Sequence, residues 1–329
     1  MYIRDVVADV KASNRITAGD VTELRRAVYH DGAAEAGEVE RLFKIDEAAS
    51  ERDPSWAVFF VEAVTDYLVE QVEPHGYVSE ANANWLIDRI GHDGVVKTET
   101  ELELLVKVLE KAKSSPERLV AFALNQVKKA VVDGEGPLAC GRALTPGHIG
   151  RAEVDLIRRI LYAFGGDGNV AITHSEAEVL FDINDHTAEA ENDPAWSDLF
   201  VKAIANFMMA ASGYAVPTRQ EALRREQWLD SASGGVGDFF SRMAAGGLHG
   251  IIAAYRRPSG EEAWAARNAE TKAVIASAEA VTAAEAEWLA RRIGRDGMLH
   301  ANEKALLRFI RDEAPSVHPS LNSLIAKAA

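Results

Sequence analysis

Glu178, Asp182 and Asp185 stand at i, i+4 and i+7, a spacing that stacks three carboxylates on one face of a helix, with Asn184 and His186 beside them. Like charges so placed repel one another. They persist on a solvated face, or around a cation that takes oxygen ligands, calcium and magnesium being the matching divalent ions. A second acidic theme is an Asp-Gly turn that recurs four times, at Asp31-Gly32, Asp93-Gly94, Asp167-Gly168 and Asp296-Gly297, the first paired with Glu38 and the last with Glu303. Aspartate and glutamate in that order could supply oxygens to the same kind of cation. Read as structure, the same residues form a tight turn, a glycine that ends a helix at positive φ, and a glutamate that caps the next helix. Glu178, Asp182, Asp185, Asp296, Glu303, Asp31 and Glu38 are therefore the candidate metal ligands, and a solvated or capping role stands beside each.

Other chemistry is thinly represented. Cys140 is the single cysteine, so no internal disulfide and no cysteine-based zinc site can form. The nine histidines are scattered, without the paired spacing of a zinc helix. No hydrolase elbow or dinucleotide fingerprint occurs, and the glycine loop at 233–237 lacks the lysine and hydroxyl of a phosphate-binding loop. No catalytic residue is predicted, and a divalent cation is the one cofactor class the acids suggest. With 51 acidic against 36 basic side chains the formal charge is −15, which repels phosphate backbones and argues against nucleic acid as a partner. The apolar segment at 243–255 has 13 residues, too few for a membrane span, and acids interrupt the first ten residues where a secretory leader would be apolar. A cytoplasmic protein is expected.

The elements that must position these residues read as helices throughout. Ala286, Leu289 and Ile293, then Leu306, Leu307 and Ile310, recur at three and four, the period of one helical face. Asp53-Pro54 and Asp193-Pro194 place a capping acid before a proline at the first helical position. Thr98 with Glu101, Thr173 with Glu176, Ser259 with Glu262 and Thr282 with Glu285 fit reciprocal capping boxes.

Those elements recur. Residues 51–68 match 191–208 at an offset of 140, with 7 of 18 positions identical, and 78–105 match 281–308 at an offset of 203, with 11 of 28 identical. The offsets differ by 63 residues, so the reading is a first half at 1–133, a Gly/Pro-rich linker at 134–147, and a second half at 148–329 carrying an insertion at about 215–280. Trp56, Trp85, Trp196 and Trp288 fall at equivalent places and are predicted core anchors; Trp228 and Trp264 fall in or beside the insertion. The acidic row has its first-half counterpart in Glu40, Lys44 and Glu47, where a lysine interrupts the charge.

Helix, Asp-Gly turn, helix is also the plan of an EF-hand, whose loop carries glycine at its sixth position and a glutamate at its twelfth. With Gly297 as the sixth residue, Asp296 falls fifth and Glu303 twelfth, but Arg292 and Gly294 fall first and third and bring no carboxylate. With Gly32 sixth, Asp31 and Glu38 fit and Ala27 and Tyr29 do not. The stretch 293–307 and its partner at 90–105 also resemble the Asp-Gly-x-apolar…Glu signature of the tellurite-resistance TerB-like helical domains. That resemblance implies an all-helical fold with acidic clusters that bind metal, in stress-response and adaptor proteins. The tandem arrangement and the insertion depart from it. The sequence thus predicts an all-α, tandemly duplicated interaction or scaffold protein that binds divalent cations weakly through its acidic turns or acidic helix face. Its protein partner is expected at the 215–280 insertion. The alternative is an enzyme with an acidic, metal-dependent site between the halves or beside the insertion.

Overall fold

A computed structural model describes residues 3–30, 32–139, 146–163, 172–210, 283–295, 297–313 and 317–328. Asp31, Cys140, the Asp167-Gly168 turn, Asp296 and the whole insertion lie outside them, and so do the expectations placed on Trp228, Trp264, the 233–237 glycines, the 243–255 segment, the Ser259/Glu262 box and the Thr282 cap. The fold is all-α, as the periodicity predicts. Two compact units divide the chain, Met1–Ala130 with Gly134–Leu144, and Val131–Asp133 with Thr145–Ala329.

Unit 1 contains α1 (Ile3–Ser13), α2 (Ala18–Val28), α3 (Ala36–Ala48), α4 (Pro54–Asp66), α5 (Glu80–Ile90), α6 (Glu99–Lys111) and most of α7 (Glu117–Asp133). A π-helical turn, Tyr67–Gln71, extends α4, and two short segments, Arg15–Ile16 and Glu51–Arg52, pair in parallel. The linker begins as expected at Gly134, which ends α7 in the left-handed region at φ 69°. Its next residues are not wholly irregular: Pro137–Ala139 form a 3-10 turn that packs on α6, so this part of the linker belongs to unit 1. Unit 2 contains α8 (Arg151–Ala163), α9 (His174–Thr187), α10 (Pro194–Ala210), α11 (Ala283–Arg292), α12 (Ala301–Glu313), a 3-10 turn (Pro319–Leu321) and α13 (Asn322–Ala328).

The helices begin where side chains can satisfy their free amides. Asp53 Oδ1 accepts from the Ser55 amide at 3.0 Å and Asp193 Oδ1 from the Ala195 amide at 2.9 Å. Thr98 with Glu101 and Thr173 with Glu176 form complete capping boxes. Two further boxes, Thr17 with Asp20 and Glu35 with Glu38, use an aspartate at the third position and a glutamate at the cap, departures from the usual pattern that hide them in the sequence.

The core of unit 1 centres on α4, where Trp56, Phe59, Phe60, Ala63 and Val64 are fully buried. It packs against α2 and α6, and α10 packs likewise against α8 and α12 in unit 2. Aromatic edges fix the angle between elements: Phe43 meets Phe60 at 5.0 Å and Trp85 at 5.7 Å, while Phe181 meets Phe200 at 5.0 Å and Trp288 at 5.4 Å, all T-shaped. Trp56, Trp196 and Trp288 are buried anchors; Trp85 is half-buried, its ring held between Phe43 and Tyr67. One detail of the sequence alignment shifts. Thr98, Glu101, Leu104, Leu105 and Val108 match His300, Glu303, Leu306, Leu307 and Ile310 in role and burial, an offset of 202 rather than 203. The second loop is therefore one residue shorter after its glycine.

The Asp-Gly turns carry the predicted glycine geometry, with Gly32, Gly94 and Gly297 at φ of 93°, 80° and 88°. An added Cβ at Gly297 meets nothing within 4 Å, so alanine there suffers only the backbone conformation. Gly297→Ala should destabilise by about 1 kcal/mol, whereas Gly37→Ala, at an exposed position of α3 with ordinary φ, should be neutral or slightly stabilising. Urea unfolding of both variants checks this pair.

Candidate functional site

The acidic row of α9 does not stand alone. Arg292, the last residue of α11, lies within it with only 7% of its side chain exposed. Its guanidinium is 3.3 Å from Glu178, 2.8 Å from Asp182 and 3.5 Å from Asp185, and it rests over the Phe181 ring at 5.2 Å. Glu178 also accepts from the Trp288 indole, and His174 lies 3.7 Å from the same carboxylate. The i, i+4, i+7 spacing is thus used in full, as three arms around one planar cation that ties α11 to α9. In unit 1 the matching pair is Glu40 and Arg89, joined directly, while Lys44 and Glu47 are exposed.

The turn glutamates are equally committed. Glu303 is 1% exposed; its Oε1 accepts from the Gly294 amide and its Oε2 from the His300 amide, each at 2.9 Å. It therefore closes its loop on itself with two backbone donors at the place where an EF-hand glutamate would turn two oxygens to calcium. Glu101 accepts from Lys97 and Thr98, and Glu38 accepts from the Glu35 amide at 3.0 Å. Asp31 and Asp296 lie outside the described residues. Among the described residues, no three His, Cys, Asp or Glu side chains stand together as a metal site requires.

A second contrast between the units concerns the tryptophan before each aromatic cluster. Trp56 donates to Asp46 Oδ1 at 2.7 Å, and Arg52 neutralises that buried carboxylate at 2.9 Å. The matching positions in unit 2 are Asn184 and Asn192. Acid and base have been replaced together by amides, so no uncompensated charge is buried. Asn184 instead accepts from Asn302 at 2.8 Å, and Asn192 accepts from the Ile149 amide at 3.0 Å.

Unit 1 carries a groove of about 1170 Å³ with α4 as its floor and α2 and α6 as its walls. Val58 on the floor is 65% exposed, on a helix whose opposite face is the core. Ala57, Val61 and Thr65 continue that strip, and Thr65 Oγ1 is buried with no hydrogen-bond partner. On the α2 wall, Arg25 pairs with Glu62 at 2.7 Å, and that hydrogen bond holds its guanidinium further above its ordinary range. Beside it, burial, reinforced by the charges of Asp66 and Glu62, pushes the Tyr29 phenol up to about 12. The α6 wall presents Glu99, Glu103, Lys107 and Lys111. The corresponding groove of unit 2, over α10 and α12, is about 440 Å³ and has Asp198 in the place of Val58 and Phe309 in the place of Lys107. Sequence reasoning passed over the unit 1 groove. Its trace is the width of the apolar face in α4: Val58 and Val61 add a second apolar strip beside the Trp56/Phe59/Phe60 face, more than one core contact needs.

Removing Arg292 leaves three carboxylates facing one another. Arg292→Ala should cost about 2–3 kcal/mol at neutral pH, less than a fully buried pair because the acids are about one-third exposed. The deficit should shrink as pH falls through the carboxylate range, and Arg292→Lys should recover only part of it, since a compact ammonium lacks the planar fork that spans the three acids and lies over Phe181. Denaturant unfolding at several pH values measures both. Tyrosinate absorbance of the wild type minus Tyr29→Phe should show one phenol titrating near 12. Because that pKa is raised in the folded state, its contribution to stability holds below the ordinary phenol value of about 10 and is lost as pH climbs towards 12.

Comparison of the chain with protein-family models, with curated proteins and with solved structures finds no match in any of the three.

Proposed function

We propose that the chain is a helical docking protein that binds another protein segment in the α2/α4/α6 groove of unit 1. The observation that carries this reading is Val58, 65% exposed on the floor of the groove although it sits on the central core helix. A valine held in water there contributes nothing to the fold, and covering it on binding would recover about 1–2 kcal/mol of hydrophobic free energy. Thr65 Oγ1, buried and unpartnered beneath the same strip, offers a hydroxyl to an arriving polar group.

An interaction role agrees with the adaptor function that the TerB-like resemblance at 90–105 and 293–307 implies, and a cytoplasmic setting goes with it. Among the described residues no helix is long and apolar enough to cross a membrane. That the two halves descend from one unit is part of the proposal, supported by their matching Phe/Trp edges, capped Asp-Pro helix starts and arginine-acid ties. Weak cation binding has less support, since Glu38 and Glu303 accept backbone amides and Glu178, Asp182 and Asp185 surround Arg292. The metal-dependent enzyme drew on those same acids and is weakened for the same reason.

A neutral amphipathic model helix, with leucine and alanine on one face and glutamine on the other, tests the groove. In methyl NMR of the full chain it should shift Val58, Val61 and Thr65, and Val58→Asp should abolish the shifts. Shifts confined to other residues, or unchanged by Val58→Asp, would contradict the assignment.

A further inference from the structure

We infer that the segment taken up by the unit 1 groove is α6 of a second copy of the chain, the two copies pairing antiparallel about a two-fold axis level with the middle of that helix. This rests on the groove being a docking site for protein, and names what docks.

The charge order of α6 carries the pairing. Glu99, Glu103, Lys107 and Lys111 recur every four residues along the face that walls the groove, and all four are exposed. Two acids come first and two bases follow, so each like pair stands at i, i+4, where neighbours repel; only the middle step sets opposite signs one turn apart. The row is thus a strip with a negative end and a positive end. Such a strip is complementary to itself turned end for end. With the axis level with Leu105, Glu99 falls opposite Lys111 of the second copy and Glu103 opposite Lys107 of the second copy. The same contacts repeat on the other side of the axis, as an isologous interface requires. The fold does not require this row, because the matching positions of α12 hold Ala301, Ala305, Phe309 and Glu313.

The apolar floor fits the same alignment. Helices α4 and α6 pack together, and Lys111 pairs with Glu70 at 3.1 Å, joining the end of α6 to the end of the extended α4. The two helices therefore run in the same sense and their beginnings adjoin. Exposed Val58, near the start of α4, lies towards the Glu99 end, where the second copy brings its lysines. A lysine there lays its four-carbon stem on Val58 and carries its ammonium to Glu99, covering the valine while the charge stays in water. Lys107 and Lys111 also have acids within their own chain, Glu110 at 3.6 Å and Glu70 at 3.1 Å. Such half-exposed pairs hold their geometry loosely, and an ammonium with three donors can serve a second carboxylate as well. The strip is about 18 Å long and one helix wide, a footprint short of the roughly 800 Å² per partner of a standard stable interface, so association is weak and reversible. The chain's net charge of −15 opposes it at long range. At physiological ionic strength charges more than about 8 Å apart are largely screened, whereas the paired rows are in contact.

Analytical ultracentrifugation of the full chain, taken up to millimolar concentration, tests this with variants of the row. The wild type should show a reversible monomer–dimer equilibrium. Glu99→Lys/Glu103→Lys makes the row all lysine and Lys107→Glu/Lys111→Glu makes it all glutamate; each alone should dimerise about tenfold more weakly or worse. Mixed together, those two variants should pair with each other, and all four substitutions in one chain, which reverse the row, should restore the wild-type constant. Val58→Ser, which removes the apolar floor from both copies, should weaken the dimer by about tenfold. A chain monomeric throughout, in which the neutral model helix still shifts Val58, would overturn the second-copy inference and leave the docking groove standing. A dimer indifferent to the row variants and to Val58→Ser would lie on another face and overturn it as well, as would failure of the two mixed variants to pair. Absence of the dimer together with no response to the model helix would remove the docking site itself.

Discussion

A buried glutamate that folds back onto its own turn is the interaction on which this architecture rests. Each helix-turn-helix must reverse direction over a few residues, and each reversal leaves amides at the start of the next helix without partners. Glu303 takes the amides of Gly294 and His300, Glu101 those of Lys97 and Thr98, and Glu176 that of Thr173. Burial of an ionised carboxylate is costly unless the charge is fully hydrogen-bonded, and two amides within 3 Å meet that condition at Glu303. The glycine that precedes each described glutamate, Gly94 or Gly297, supplies the positive φ that lets the loop close tightly enough for this contact. With the turns fixed, α4 and α10 are clamped between their neighbours, and the Phe/Trp edges set how those neighbours pack.

The same contacts can be written with different charges, and the two units use that freedom. Around Phe43 and Phe181 one arginine, at the end of α5 or α11, reaches back to α3 or α9; in unit 2 it meets three acids, in unit 1 a single glutamate. Beneath the first tryptophan the pattern reverses, since unit 1 holds the charged pair Asp46/Arg52 and unit 2 the neutral Asn184/Asn192. The surface diverges also at the groove, where Val58 gives way to Asp198 and Lys107 to Phe309.

Much of the fold was legible in the sequence because its signals are local. Helical period, Asp-Pro starts, Thr-x-x-Glu boxes and positive-φ glycines act within four residues, and each is found where the residues put it among those described. What escaped depends on distant partners. No spacing within α9 reveals that Arg292, more than a hundred residues away, fills the acidic row, so three stacked carboxylates read as a cation site. The glutamates carried two meanings, ligand or cap, that differ only in which atoms face the oxygens. The groove was hidden for a related reason: an exposed valine and a core valine are the same letter, and only the positions of α2 and α6 distinguish Val58 from Val64.

The central claim is that backbone amides hold the turn glutamates. Hydrogen–deuterium exchange of the full chain, with and without millimolar calcium, tests it at the atoms concerned. The account predicts that the amides of Gly294 and His300, and of Lys97 and Thr98, are protected without calcium and unchanged by it. Fast exchange at these amides in the absence of calcium, slowed when calcium is added, would show that a cation closes the loops and would contradict the account.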